Sequence, residues 1–161
     1  MAVKIVTDSG SDLPADIARE LEITVVPVYI YFGEEAYRDW ADIGPDELYK
    51  RLVEGPVHPT TTQPMPVDFT NVYKELSKDA DAIISVHLPA PLSGTYDSAL
   101  QGKEMANVRC PVEVVDSFSL SMGLGLVAMA AARVAQAGGS LSEVMEETRK
   151  AINQVRDTRT S

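Results

Sequence analysis

Ala82-Ile83-Ile84-Ser85-Val86-His87-Leu88-Pro89-Ala90-Pro91-Leu92-Ser93-Gly94-Thr95-Tyr96 is the stretch on which the fold turns. Residues 82–87 form a compact, mostly apolar run, and the prolines at 89 and 91 end it, so it reads as a buried strand. Ser93-Gly94-Thr95 then opens a helix predicted over 95–107. A strand that passes through a hydroxyl-rich turn into a helix is half of a βαβ unit. The question is whether the rest of the chain repeats it.

It does. Val3 to Thr7 is a short β-branched run, and Asp12 and Pro14 mark a helix start, with Ile17 and Leu21 four apart on the inner face. Thr24 to Phe32 reads as a second strand, with an edge position or an irregularity at Pro27. Pro45 opens a helix with Leu48 and Leu52 on one side. Phe69, Val72, Tyr73 and Leu76 follow the i, i+3, i+4, i+7 rule, which predicts a helix over 67–78. Val112 to Val115 is a strand, and Ser121 to Gln136 is a helix rich in small residues that permit close packing on a sheet. In that helix Met122 and Met129, seven apart, read as core packing. Ser140 and Glu143 form a capping box ahead of a helix whose stripe is Leu141, Val144, Met145, Thr148, Ile152 and Val155. Turn-rich segments fall at 8–14, 33–45, 54–66, 88–95 and 116–123. Strands alternating with helices imply right-handed crossovers. The expected fold is therefore α/β, a Rossmann-like, mostly parallel sheet flanked by helices.

Bulk properties narrow the function. The chain has 161 residues, 45% of them hydrophobic, enough for one core. Its 24 Asp and Glu against 14 Lys and Arg give a net charge of −10, which opposes binding to nucleic acid or to an anionic membrane surface. No apolar run approaches the length of a membrane span. The chain enters a strand directly after Met-Ala-Val-Lys and has a single cysteine, Cys110, so neither a signal peptide nor a disulfide framework is expected and a cytoplasmic location is.

In a parallel α/β sheet, ligands sit beyond the carboxyl ends of the strands. Four loops there are rich in hydroxyls: Asp8-Ser9-Gly10-Ser11-Asp12, His58-Pro59-Thr60-Thr61-Thr62-Gln63-Pro64, Leu92-Ser93-Gly94-Thr95-Tyr96, and Asp116-Ser117-Phe118-Ser119-Leu120-Ser121-Met122-Gly123. Each alone is explained by capping. Together they suggest a site, sharpest at Ser93-Gly94-Thr95, where a glycine lets a ligand approach a helix N-terminus that favours an anion. No Lys or Arg lies between Lys78 and Lys103, nor between Arg51 and Lys74. A polyphosphate normally calls for a cation or a metal, so a neutral cradle suits a carboxylate better. A phosphate at the Ser93-Gly94-Thr95 helix entry, in an α/β enzyme or phospho-ligand domain, is the alternative. A His87, Ser93 and Asp116 triad lacks the G-x-S-x-G elbow, and His87 reads instead as a hydrogen-bonded residue at a strand end. A magnesium site between Asp8 and Asp116 ranks below their capping role, and two histidines with one cysteine do not make a zinc site.

Lys4-Ile5-Val6-Thr7-Asp8-Ser9 with Asp12-Leu13-Pro14, Val26-Pro27-Val28 through Tyr37-Arg38-Asp39, Pro59-Thr60-Thr61-Thr62-Gln63-Pro64, Leu92-Ser93-Gly94-Thr95-Tyr96 with Ser98-Ala99, and Val115-Asp116-Ser117 with Ser121-Met122-Gly123-Leu124-Gly125 together resemble the DegV family. The resemblance runs through nearly the whole chain, in order. It implies a bacterial fatty-acid binding protein of phospholipid metabolism that holds a long-chain fatty acid by its carboxylate and presents it to a separate fatty acid kinase. No chemistry, cofactor or metal of its own is implied. The implied ligand-binding residues are Thr61, Thr62, Ser93 and Gly94, with Thr95 a further helix-entry residue. The family commonly has serine where Thr62 stands, and a more polar run in place of Pro89-Ala90-Pro91. It also implies a C-terminal domain that this chain, ending at Ser161, lacks; residues 1–161 would be the N-terminal domain. Burying ~15 methylenes at ~0.8 kcal/mol each offers up to ~12 kcal/mol before binding costs, so the tail would dominate affinity. This half alone is then expected to bind weakly and to expose an apolar face.

Overall fold

The computed structural model describes residues 2–32, 34–39, 43–54 and 60–160. In chain order the elements are β1 (Val3–Asp8), a 3-10 turn (Ser9–Ser11), α1 (Ala15–Glu20), β2 (Ile23–Val26), β3 (Tyr29–Phe32), β4 (Glu35–Arg38), α2 (Pro45–Glu54), β5 (Thr60–Thr62), α3 (Pro66–Ser77), β6 (Ala82–His87), α4 (Thr95–Ala106), β7 (Val112–Asp116), α5 (Ser121–Gln136) and α6 (Leu141–Thr160). The main sheet has four parallel strands in the order β2-β1-β6-β7, which is the expected α/β class. A second sheet, β4-β3-β5, is antiparallel.

Period-two alternation along the central strands builds a core on each face. Ala82, Ile84 and Val86 of β6 join Val3 and Ile5 of β1 under α5 and α6. Ile83 and Val6 point the other way and join Phe69, Tyr73 and Ala99 of α3 and α4. Phe69 and Tyr73 are fully buried, each a gain of about 1.5–3 kcal/mol over exposure. Ser85 and His87 share the face of Ile83. There the Tyr73 hydroxyl donates to Ser85 Oγ at 2.7 Å, and the Phe69 ring meets the His87 ring edge-on at 5.0 Å. The capping box forms as expected: the Ser140 amide donates to Glu143 Oε1 and the Glu143 amide to Ser140 Oγ. The Ser140 amide, and after it the Ser140 hydroxyl, hold the Glu143 carboxyl below its ordinary value. The α6 stripe also packs, with Val144 and Thr148 fully buried.

Four expectations need correction. Thr24 to Phe32 is not one strand. Pro27 has no N–H for the ladder, and the Val28 amide turns aside to Ser9 Oγ at 3.0 Å, so β2 ends at Val26 and β3 starts a new sheet. The threonine segment is not a plain loop, because its β-branched residues pair with β3 in the register Tyr31↔Thr60, Ile30↔Thr61, Tyr29↔Thr62. Within the turn-rich segment 33–45, residues 35–38 form β4. His58 and Pro59 lie outside the described residues. Of the two methionines in α5, Met129 packs on the core while Met122 is exposed.

Small residues set two close approaches. A Cβ on Gly125 of α5 would stand 2.8 Å from the Ser11 carbonyl oxygen. One on Gly102 of α4 would stand 2.6 Å from Phe69 Cβ and 2.7 Å from the Pro66 carbonyl oxygen. Gly102→Ala should therefore destabilise the protein by about 1–3 kcal/mol by forcing α3 and α4 apart, measured by urea denaturation; an unchanged midpoint would refute the contact. Burial pushes the Tyr73 phenol well above its ordinary 10.0, against a smaller opposing effect of the Ser85 hydrogen bond. The folded state then holds this proton more tightly than the unfolded chain, so its contribution is intact below pH 10 and is lost as pH rises beyond it. Stability of the wild type should fall more steeply above pH 10 than that of Tyr73→Phe; parallel curves would contradict this.

Candidate functional site

From β1 the chain moves to β2 on one side, and later to β6 and β7 on the other. The carboxyl ends of β1 and β6 therefore flank the topological switch point, where ligands of open α/β sheets bind. His87 pairs with Asp116 across β6 and β7. The β1–β6 register runs to Val6↔Ser85, and continuing it sets Asp8 opposite His87. Asp8, His87 and Asp116 thus stand level at three neighbouring strand ends.

Their hydrogen bonds divide the work. His87 Nδ1 lies 2.9 Å from Asp8 Oδ2, and His87 Nε2 lies 2.5 Å from Ser85 Oγ. Asp8, Ser85 and His87 are fully buried. Asp8 Oδ1 accepts the Gly10 amide at 2.8 Å, and Oδ2 accepts the Leu88 amide at 3.4 Å. Asp116 Oδ1 accepts the Phe118 amide at 2.8 Å and Oδ2 the Ala90 amide at 3.0 Å. The partners of His87 are therefore Asp8 and Ser85, and Ser93 and Asp116 do not form a triad with it. Asp8 and Asp116 do not stand at adjacent strand ends, because β6 separates them. Among the described residues, no group of three or more His, Cys, Asp or Glu can hold a metal ion.

Above these strand ends lies a cavity of about 400 Å³, within the range of small-molecule sites. Gly10 and Leu88 form its floor side, Thr61, Thr62 and Gln63 come from β5 and its exit, and Ser93 and Gly94 come from the α4 entry. Thr61, Thr62, Ser93 and Gly94 thus share one hollow. Thr95 does not border it. Its buried side chain stands behind, with Oγ1 2.8 Å from Ser93 Oγ, and Ser93 Oγ also accepts the Thr95 amide at 3.2 Å. Gly94 is close-packed: a Cβ there would meet the end of the Gln63 side chain at 2.8 Å. No Lys or Arg borders this cavity among the described residues.

Leu120 also lines a second, more apolar groove of about 430 Å³, formed with Met122, Leu126 and Val155. Leu92, Phe118, Leu120, Met122 and Leu126 are each about half exposed or more. A hydroxyl-bearing hollow of mixed lining thus opens beside an apolar track. Sequence reasoning did not assign Gly10, Gln63, Leu88 or Leu120 to the site, nor the buried series Tyr73, Ser85, His87 and Asp8. The available signal for the latter was Ser85 and His87, two polar residues two apart on one side of an otherwise apolar strand. Among the described residues no helix is long and apolar enough to cross a membrane.

Known proteins share this architecture. A DegV domain-containing protein of Caldanaerobacter subterraneus subsp. tengcongensis is 39% identical over 154 residues, which cover 96% of this chain and 54% of that protein. A solved structure described as fatty acid binding of a DegV family protein from Thermus thermophilus has a TM-score of 0.84 at 38% identity, covering 95% of this chain and 54% of that one. A structure described as DegV, a fatty acid binding protein from Bacillus subtilis, has a TM-score of 0.87 at 29% identity, again covering 95% of this chain and 54% of that one. The chain spans about half the length of these relatives. The family model described as Uncharacterised protein, DegV family, matches residues 2–158, and the chain belongs to the DegV family.

Proposed function

We propose that this chain is the N-terminal α/β domain of a fatty-acid binding protein, and that the cavity at the β1–β6 switch point receives the carboxylate. The observation that carries this reading is a hollow bordered by Thr61, Thr62, Ser93 and Gly94 at a helix N-terminus, with no basic residue on it among the described residues. Hydroxyls and amides there are donors for a single negative charge, each charge-assisted hydrogen bond contributing about 1.5–3 kcal/mol. Thr95 holds the Ser93 hydroxyl from behind. The acyl tail would follow the apolar groove past Leu120 to Met122 and Leu126. Solved relatives described as fatty acid binding support the ligand class.

Under this reading the protein does no chemistry. Ser93 is a ligand donor, because the buried histidine is already engaged by Asp8 and Ser85. A separate fatty acid kinase, working in the cytoplasm, would receive the bound acid. A phosphate at the α4 entry would find the same amides but no bordering cation, which disfavours its second charge.

Amide chemical shifts of the 161-residue chain test the reading, since they register weak binding. Titration with a long-chain fatty acid below its micellar concentration should move the Thr61, Thr62, Ser93 and Gly94 amides. Ser93→Ala should weaken that binding about tenfold, the loss of one charge-assisted bond. Inorganic phosphate should leave these amides in place. Shifts confined to other surfaces, or a stronger response to phosphate, would overturn the assignment.

A further inference from the structure

The two Asp-Ser turns, at Asp8-Ser9 and Asp116-Ser117, follow β1 and β7, the strands on either side of β6. Their aspartates make the same pair of bonds. Each accepts the amide two residues on, from Gly10 or Phe118 at 2.8 Å. Each also accepts an amide from the loop that leaves β6, Leu88 for Asp8 and Ala90 for Asp116. That loop, residues 88–94, carries Ser93 and Gly94 into the cavity. Two of its residues, Pro89 and Pro91, have no amide hydrogen to donate.

Beneath the loop, a buried series of hydrogen bonds leads to Asp8. The Tyr73 hydroxyl donates to Ser85 Oγ. Ser85 Oγ in turn lies 2.5 Å from His87 Nε2, and His87 Nδ1 lies 2.9 Å from Asp8 Oδ2. The imidazole has the Asp8 carboxylate, an acceptor, on its Nδ1 side, which calls for a ring proton there. The Phe69 ring edge fixes its plane.

We propose that Asp8 and Asp116 act as a paired clamp on loop 88–94, with His87 orienting Asp8, and that these three are positioning residues for head-group recognition. The inference rests on the reading of the cavity as a carboxylate cradle. A displacement of the loop by about an ångström would move the Ser93 hydroxyl and the α4 amides off the head group. The clamp therefore acts on selectivity for the acid end, and leaves the tail contacts at Leu120 and Met122 as they are.

Asp116→Asn tests this in the 161-residue chain, since Asp116 is the less buried of the pair and its removal leaves the Asp8–His87 pair intact. Asp8→Asn is the second variant. Asparagine keeps the volume and one acceptor but turns an N–H₂ toward amides that need an acceptor. Amide hydrogen exchange, the ¹⁵N spectrum of the histidine rings, and the affinity ratio of a fatty acid to its methyl ester would be measured. We expect Ala90 exchange to accelerate in Asp116→Asn and Leu88 exchange in Asp8→Asn, with β6 protection unchanged in Asp116→Asn, the acid-to-ester ratio to fall at least tenfold, and wild-type His87 to carry its proton on Nδ1.

A merely structural role would lower both affinities equally and leave the ratio alone, which would overturn the proposal. So would a His87 proton on Nε2, or unchanged Ala90 exchange in Asp116→Asn. If the wild type does not distinguish acid from ester, the carboxylate reading fails. The exchange and tautomer measurements then judge the clamp by themselves.

Discussion

Asp8 and His87 meet at 2.9 Å between the carboxyl ends of β1 and β6, with no exposure to solvent. Two such polar groups leave water at considerable cost, and the arrangement holds only because each polar atom is met. Asp8 accepts amides from both loops, and His87 is supported by Ser85 and Tyr73. Removing one partner of a buried pair typically costs about 3–5 kcal/mol, chiefly because the other is left unmet. The constraint joins the two strands at the sheet's switch point, and both cavity-forming loops depart from it. The fold is thus organised around a fixed polar point from which the ligand site is built outward.

The chemistry of the site follows from what surrounds that point. Asp8 and Asp116 are committed to backbone amides, so they are supports for loops and not acids or metal ligands. The polar side chains that border the cavity are short alcohols and an amide, set beside Val28, Leu88, Leu92 and Leu120, with no Lys or Arg on its border among the described residues. A neutral hollow of this type binds one charge through oriented dipoles. On the proposed reading, the apolar groove that continues from Leu120 would supply the larger part of the lipid affinity, because buried methylenes contribute more in total than a few hydrogen bonds.

Much of this was legible in the sequence. The apolar run 82–87 and the Phe69, Val72, Tyr73, Leu76 spacing report the fold directly, because burial imposes its period on residue choice. Ser93-Gly94-Thr95 and the threonine segment were legible as site candidates through their hydroxyls and the absence of nearby cations. What was not legible came from pairing between distant segments. The break at Val26 depends on a proline and on Ser9, nineteen residues before Val28. The strand character of Thr60–Thr62 depends on β3 being free to pair with it. The hydrogen-bonded series from Tyr73 to Asp8 joins α3, β6 and β1, and no local pattern announces it. Asp8-Ser9 and Asp116-Ser117 repeat the same dipeptide, and its meaning depends on β6 lying between the two strands.

The central claim is that the cavity at the β1–β6 switch point grips the acid end of a lipid through alcohols and backbone amides. A crystal structure of the chain with a fatty acid brominated at its methyl end tests it most directly, because the bromine's anomalous signal marks the direction of the tail. The account predicts the carboxylate within hydrogen-bond distance of Ser93 and a threonine of β5, with bromine along the groove of Leu120, Met122 and Leu126. A carboxylate held by a lysine or arginine elsewhere, with the Ser93 cavity vacant, would contradict it.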